Sequence, residues 1–427
     1  MFKKAITHVR QDAFLKNNII FFVGSILIAF FNYLYHPLMS RLMSVERFGE
    51  VQTIFSFVFL SGVILTVFYR IVLHITTNTD TEAPQKVSST ISPSSASTIP
   101  SLYTAAFVIH LPVILFLIIA SPALSRFFAF ETSWSFAVFA LSLALAVPAT
   151  FYGAYLHGRN EFTVLSVSQG IGAGGKLVFA VLLVLLGASV LGAVGALALA
   201  SLMSVLYMRA KSHGFTLHFV PFLHTLPALK KEIPYGILVF LSLGLVTFLY
   251  SADVLIVKRL FSPEIAGTYS GIATIARIIF FATASIGAVL LSSIKIRNTT
   301  IENRAILKKA VIYVSVVGGG ALLVFALFPV KIITLLIGAK YISMSPLLPL
   351  FSLSMFLISL LSLFVTYLLA LRAPALLPIS IIAFIAVGIS ILLNHATPAC
   401  IVFDFAFATT LALILIALSE FFNKKTL

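Results

Sequence analysis

The chain has 427 residues, of which 60% are hydrophobic and only 10% charged, and its formal net charge is +15. No soluble core needs so much apolar residue, so the composition excludes a soluble globular protein and points to an all-α, polytopic membrane protein. The basic balance does not indicate a nucleic-acid partner, because Lys and Arg stand in short clusters between apolar runs, as topology signals do.

The first apolar run, 17–38, is too long for a signal-peptide core and no small-residue cleavage site follows it, so it reads as a retained helix. A spanning helix needs about 20 apolar residues. On that rule twelve spans are expected, at 17–38, 51–73, 102–120, 134–157, 163–187, 189–208, 235–258, 268–294, 309–328, 346–369, 376–393 and 400–421. The fifth and sixth are separated only by the turn residues Gly187-Ala188-Ser189. Six spans precede a basic linker at 209–234 and six follow it, which divides the chain into an amino-terminal six-helix lobe at 1–208 and a carboxy-terminal one at 235–427. Residues 76–101, rich in Ser, Thr and Pro, read as a flexible cytoplasmic insertion. Residues 295–309 read as a basic connection that anchors topology or meets anionic head groups.

One motif occurs twice. Arg41-Leu42-Met43-Ser44-Val45-Glu46-Arg47-Phe48-Gly49 returns 218 residues later as Arg259-Leu260-Phe261-Ser262-Pro263-Glu264-Ile265-Ala266-Gly267. In each copy an apolar run ends at the Arg and another begins after the Gly. Ser44 and Ser262 are hydroxyl caps, and Glu46 and Glu264 are carboxylates placed at the positive end of a short helical turn. Pro263 suits the first helical position. Gly49 and Gly267 allow a left-handed exit or a close helix contact. Matched position, hydropathy and motif imply a duplicated chain. With an even number of helices in each half, the two lobes form a parallel repeat.

Counting Lys and Arg by side puts 19 with the two termini and the loops that follow even-numbered spans, and 7 on the opposite side. Both termini are therefore expected in the cytoplasm and the duplicated motif outside. The remaining two of the 28 basic residues, Lys176 and Arg277, lie within spans. A cation at a helix centre costs ~2.5–3.5 kcal/mol on insertion scales, so each needs a reason. Lys176 follows Gly170-Ile171-Gly172-Ala173-Gly174-Gly175, where a close neighbour or local unwinding could open a watered cavity. Arg277 is deep enough to line a cavity, and Asp253 on the preceding span is its expected ion-pair or coupling partner. Arg70 and Asp404 lie near span ends and read as interface residues. His36 and His110 are expected in hydrogen-bonded or interfacial roles.

No metal-ligand, paired-carboxylate or nucleophile spacing appears, the single Cys400 has no thiol partner, and no cofactor is expected. The chain is not read as an enzyme.

Several segments resemble one family. The Arg-Leu-x-Ser-x-Glu-x-x-Gly turn after the first span is similar to that of the polysaccharide-transport branch of the multidrug/oligosaccharidyl-lipid/polysaccharide flippases. So are Ala252-Asp253 with Phe261-Ser262-Pro263-Glu264 and Gly267-Thr268-Tyr269-Ser270. Leu156-His157-Gly158-Arg159-Asn160-Glu161-Phe162 and Gly338-Ala339-Lys340-Tyr341 resemble two further turns of that branch. The insertion at 76–101 departs from it, where a shorter loop is expected. The resemblance implies two six-helix lobes around a central cavity. It implies a flippase that carries a polyprenyl-pyrophosphate-linked oligosaccharide to the outer leaflet of the cell's inner membrane, for a surface polysaccharide such as the O-antigen of lipopolysaccharide. Membrane lipids and other polysaccharide-assembly proteins would be its partners. Lys176, Arg277, Arg41 and Arg70 would then supply cationic contacts for the pyrophosphate. The rivals are a drug/cation antiporter of the same fold, which would favour cavity carboxylates, and a membrane glycan polymerase or glycosyltransferase, which would need longer outer loops. A scaffold of an envelope-synthesis complex is the third.

Overall fold

The computed structural model describes residues 13–79, 93–294 and 299–423. Their helices are α1 (Ala13–Leu42), α2 (Val45–Thr79), α3 (Pro93–Ile119), α4 (Ser121–Phe127), α5 (Ser135–Gly158), α6 (Phe162–Leu183), α7 (Ser189–Lys211), α8 (Leu226–Leu260), α9 (Pro263–Ser293), α10 (Thr300–Leu327), α11 (Pro329–Leu336), α12 (Leu348–Ala370), α13 (Leu376–Leu393) and α14 (Pro398–Asn423). Twelve of these are long, and α4 and α11 are short. Ten stretches of the described residues are long and apolar enough to cross a membrane, one of which, 162–211, contains both α6 and α7. The protein is an all-helical, multi-pass membrane protein.

The division between α6 and α7 falls where the turn residues stand. A π-type turn, Val184–Ala188, interrupts the helix, with Gly187 at φ 90° and Ser189 at φ 45°. Glycine meets that left-handed demand without a Cβ clash. Helices also extend into two of the expected connections. Helix α2 runs on to Thr79 and α3 starts at Pro93, so much of the expected insertion at 76–101 is helical, and residues 80–92 lie outside the described residues. The basic stretch 295–309 is mostly the start of α10. Thr299 accepts from the Glu302 amide at 3.2 Å and Glu302 returns a bond to the Thr299 amide at 2.8 Å, a full capping box that starts the helix early. Residues 295–298 lie outside the described residues.

The chain divides into two compact units, 1–43 with 64–233, and 44–63 with 234–427. Sequence reading assigned all of 1–208 to one lobe. The first half of α2 instead belongs with the carboxy-terminal residues, because its side chains find their partners there. Phe48 meets the Tyr341 ring edge-on at 5.8 Å, and Phe59 packs on Tyr250 and Phe281.

In the first unit α6 packs against α1 and α7, α5 against α7, and α3 against α5. The expected linker is largely built in. After α7, Phe215 stacks on Tyr155 at 4.0 Å, Phe219 sits by Tyr103 and Phe107, and the Val220 amide donates to Thr104 at 3.0 Å. In the second unit α12 is central, packed by α9, α10 and α14.

Candidate functional site

Each unit buries a cation in the middle of an apolar helix, and the two are held differently. In the first unit α6 is continuous through its glycines, so the local unwinding expected beside Lys176 does not occur. A Cβ on Gly170, Gly172 or Gly174 would meet nothing within 4 Å, so these glycines border open space, whereas one on Gly175 would touch Ala200 of α7 at 3.6 Å, the close neighbour expected there. Spacing of three and four residues puts Gln169, Gly172 and Lys176 on one face of α6. Lys176 lies about 20 Å along the helix and is 8% exposed. Its Nζ donates to Asn32 Oδ1 of α1 at 2.6 Å and lies 5.0 Å from the centre of the Tyr35 ring. Tyr35 is fully buried, and its hydroxyl donates to the Ala193 carbonyl of α7 at 3.1 Å, so the aromatic face under the ammonium is fixed from two helices.

In the second unit Arg277 is 3% exposed and Asp253 2%. The guanidinium bonds Asp253 Oδ1 at 3.0 Å through Nη2 and the Tyr250 carbonyl at 2.7 Å through Nε. Tyr269 donates to the other carboxylate oxygen of Asp253 at 3.1 Å. The Tyr250 ring stacks on Phe280, centroids 4.6 Å apart. The carboxylate therefore has both oxygens engaged, and the arginine ties α9 to α8 at two points.

Both motif copies lie in the second unit from Ser44 onward. Ser44 Oγ accepts from the Arg47 amide and Ser262 Oγ from the Ile265 amide, each at 3.4 Å. The expected short turns are instead the first turns of the long helices α2 and α9. Gly49 and Gly267 serve close contact and neither has a positive φ. A Cβ on Gly49 would fall 2.7 Å from Gly267 Cα, and one on Gly267 would run into the Val45 carbonyl oxygen. The two copies thus touch glycine to glycine. Further along the two helices, Thr274 donates to Gln52 Oε1 at 3.3 Å. Glu46 and Glu50 lie within electrostatic reach of Lys258, itself 2% exposed, and Glu264 stands in the first turn of α9.

The remaining candidates are dispersed. Arg41 is exposed in the last turn of α1, and Arg70 is half-buried in the second half of α2. Asp404, expected at an interface, is 1% exposed and accepts from Ser390 at 2.5 Å. His110 donates through Nδ1 to the Ala106 carbonyl at 2.7 Å, and the His36 ring meets Tyr35 edge-on. Among the described residues no group of three metal-ligating side chains occurs.

Asn32, Tyr35, Gln52, Thr274 and the buried state of Lys258 escaped sequence reading. A lone Asn or Tyr in an apolar run has no spacing signal. Lys258, next to Arg259, reads as a loop charge.

No curated protein matches the chain by sequence. Among solved structures, it is similar to the lipid II flippase MurJ in an inward closed conformation, with a TM-score of 0.72 at 14% identity, covering 95% of this chain and 87% of that one. It is also similar to an inward-facing multidrug resistance MATE transporter of the MOP superfamily, with a TM-score of 0.62 at 12% identity, covering 92% and 93%. The eukaryotic MATE transporter AtDTX14 gives 0.60 at 14%, covering 96% of each. At these identities the likeness is one of fold alone. Residues 14–291, well over half of the chain, match a sequence family described as polysaccharide biosynthesis protein. The chain belongs to that polysaccharide biosynthesis protein family.

Proposed function

We propose that the protein is a flippase that moves a polyprenyl-pyrophosphate-linked oligosaccharide from the inner to the outer leaflet by alternating access, in the assembly of a cell-surface polysaccharide. The observation that carries this reading is Lys176, a mid-helix ammonium held by an amide and an aromatic face beside an open, glycine-bordered surface of α6. A pyrophosphate crossing hydrocarbon needs such a cation, because its own charge is otherwise stripped of water. The prenyl tail can stay in lipid while the sugar passes through the wet interior. Membership of the polysaccharide biosynthesis family and the fold shared with a lipid II flippase support the same substrate class.

The rival cation antiporter needs a cavity carboxylate to bind its cargo. Among the buried carboxylates of the second unit, Asp253 is already occupied by Arg277 and Tyr269, which removes it as a cation site. Of the four basic residues first considered, Lys176 takes the central role in this reading. Arg277 acts as a helix tie, and Arg41 and Arg70 assist at the ends of the path.

The test is surface display of the glycan at matched protein abundance. Lys176→Gln should weaken head-group binding roughly tenfold to hundredfold, the effect of losing one charge-assisted contact. Lys176→Arg should retain part of the display. Full display by Lys176→Gln would remove this residue from the transport path. Orientation belongs to the same proposal: the protein sits in the inner membrane with both termini cytoplasmic and Ser44 and Ser262 outside. In a Cys400→Ala background, a cysteine at position 44 or 262 should react with an impermeant thiol reagent applied to intact cells. Protection of both, with labelling at residue 90, would reverse the topology.

A further inference from the structure

Asp404 is a buried carboxylate that the proposed transport path does not use, and it is held unlike Asp253. It lies about 9 Å into α14 at 1.5 Å per residue, and its helix neighbours Ile401, Phe405 and Ala408 are buried with it. Phe405 stacks on Phe248 of α8, centroids 5.8 Å apart, and Phe248 meets Phe384 of α13 edge-on at 5.3 Å. Aromatic rings therefore fill the next level of these helices. Asp404 Oδ1 takes a bond from Ser390 of α13 at 2.5 Å. Oδ2 is buried and, among the described residues, has no hydrogen-bond partner.

An ionised carboxylate in that position needs a cation. Helices α12 and α13, which pack against α14, contain no Lys or Arg, and α14 contains none either. Tyr367 is the titratable group of α12, and α13 has none. On α14 itself Cys400 stands one turn before the acid and brings no positive charge. On α8, Asp253 is bonded to Arg277, and Lys258 lies within reach of Glu46 and Glu50. His395, in the connection before α14, is exposed, and its Nδ1 donates to the Ile391 carbonyl at 2.9 Å. It reaches Asp404 through space rather than by a bond.

We infer that Asp404 is a proton-binding site, and that the arrangement described here holds its neutral acid. A proton removes the need for a counterion where the packing helices offer none. The Ser390 contact suits both states. The serine hydroxyl donates to the carboxylate, and the acid's own O–H fits the same 2.5 Å line to Ser390 Oγ, leaving Oδ2 a neutral carbonyl oxygen. An unmet bond on that oxygen costs less than one on an anion. The proton comes from water and returns to it when water enters between α13 and α14, so the packing of these two helices responds to proton concentration. This inference goes beyond the flippase reading and does not depend on it, because it concerns one side chain and no cargo.

The experiment is infrared absorption of the full-length protein in lipid nanodiscs, with the proton as the probe. Exposed carboxyl groups are ionised at neutral pH, so the carbonyl band of a protonated acid reports a buried one. The parent should show that band at neutral pH and lose it as the pH is raised. Asp404→Asn, whose amide copies the neutral acid, should lack the band and unfold at the parental temperature or above it. Ser390→Ala should move the band to higher frequency by removing its hydrogen bond. Absence of the band in the parent at neutral pH overturns the inference, and so does its full retention in Asp404→Asn. A band that survives every pH at which the parent stays folded marks a permanently neutral acid and overturns it too. Should Asp404→Asn fail to fold, an unmoved band in Ser390→Ala overturns the inference alone. Glycan display by Lys176→Gln tests the flippase reading separately, so either can fail without the other.

Discussion

Lys176 and Arg277 are both cations buried in the middle of apolar helices, yet their surroundings assign them different work. Arg277 is bonded to a carboxylate and a backbone carbonyl, and the carboxylate is further held by Tyr269. Lys176 is held by an amide and an aromatic ring. A cation whose partner is a buried carboxylate is locally neutral and serves to join helices. The amide of Asn32 and the ring of Tyr35 orient the Lys176 ammonium without being such a carboxylate. Depth and charge, which are what a sequence displays, do not separate the two, whereas the partner does.

The sharpest way to break this comparison is to remove the carboxylate. Asp253→Ala leaves the Arg277 charge buried without its counterion and takes the acceptor from Tyr269. Losing one member of a buried pair costs about 3–5 kcal/mol, so a large fall in the thermal unfolding temperature is expected. Replacing both residues, Asp253→Leu with Arg277→Met, should recover much of that loss because no charge remains to be compensated. A single variant as stable as the parent would show that Arg277 is not neutralised by Asp253, and the contrast with Lys176 would collapse. The corresponding change in the first unit, Lys176→Gln, should leave stability unchanged or raised and reduce glycan display. The two sites should thus fail in different assays.

A second, smaller effect concerns the contact that joins the motif copies. The Gly267 Cα faces the Val45 carbonyl so closely that Gly267→Ala must push α2 and α9 apart. Overpacking of this kind costs about 1–3 kcal/mol. At Gly244, also in the second unit, an added Cβ would approach only Val63 Cγ1, at 3.8 Å, so Gly244→Ala is the control and should be near neutral. Equal stability of the two variants, measured by thermal unfolding, would remove the glycine contact as the fastener of residues 44–63.

The helices themselves were open to sequence reading because hydrocarbon demands a long apolar run for each crossing, and even the turn at Gly187 announced itself by its residues. The repeated motif was visible for the same reason, as matched caps between apolar runs. What could not be read were relations that need the fold. Helix α2 is one unbroken apolar helix, and nothing along it marks that residues 44–63 pack with one unit and the rest with the other. The glycine-to-glycine contact depends on bringing together residues 218 positions apart. Asn32 and Tyr35 acquire meaning only because α1 packs on α6. The Asp253–Arg277 geometry was open to anticipation from adjacent helices, but the share of the charge that Tyr250 and Tyr269 take was not.

The smallest expected effect concerns the point in α2 where one unit gives way to the other. The boundary between them falls at Val63 and Ile64, inside α2. Just before it, Ser61 Oγ bonds back to the carbonyls of Phe57 at 2.7 Å and Val58 at 3.2 Å, and Gly62 follows. Serine back-bonding and a glycine together are where helices bend. A Cβ on Gly62 would meet nothing within 4 Å, so Gly62→Ala has no steric cost. Alanine should stabilise the helix by about 0.5–1 kcal/mol through its greater helix propensity. If α2 flexes at this point during alternating access, the variant should be slightly more heat-stable and slower in transport, seen as a reduced rate of glycan appearance at matched abundance. A Ser61→Ala, Gly62→Ala double variant should slow it further. Gly319, on α10 and likewise without a neighbour within 4 Å, provides the comparison: Gly319→Ala should gain similar stability and leave the rate unchanged. Equal rates for Gly62→Ala and Gly319→Ala would mean that α2 does not bend at Gly62, and that the distinction between its two halves is one of packing alone.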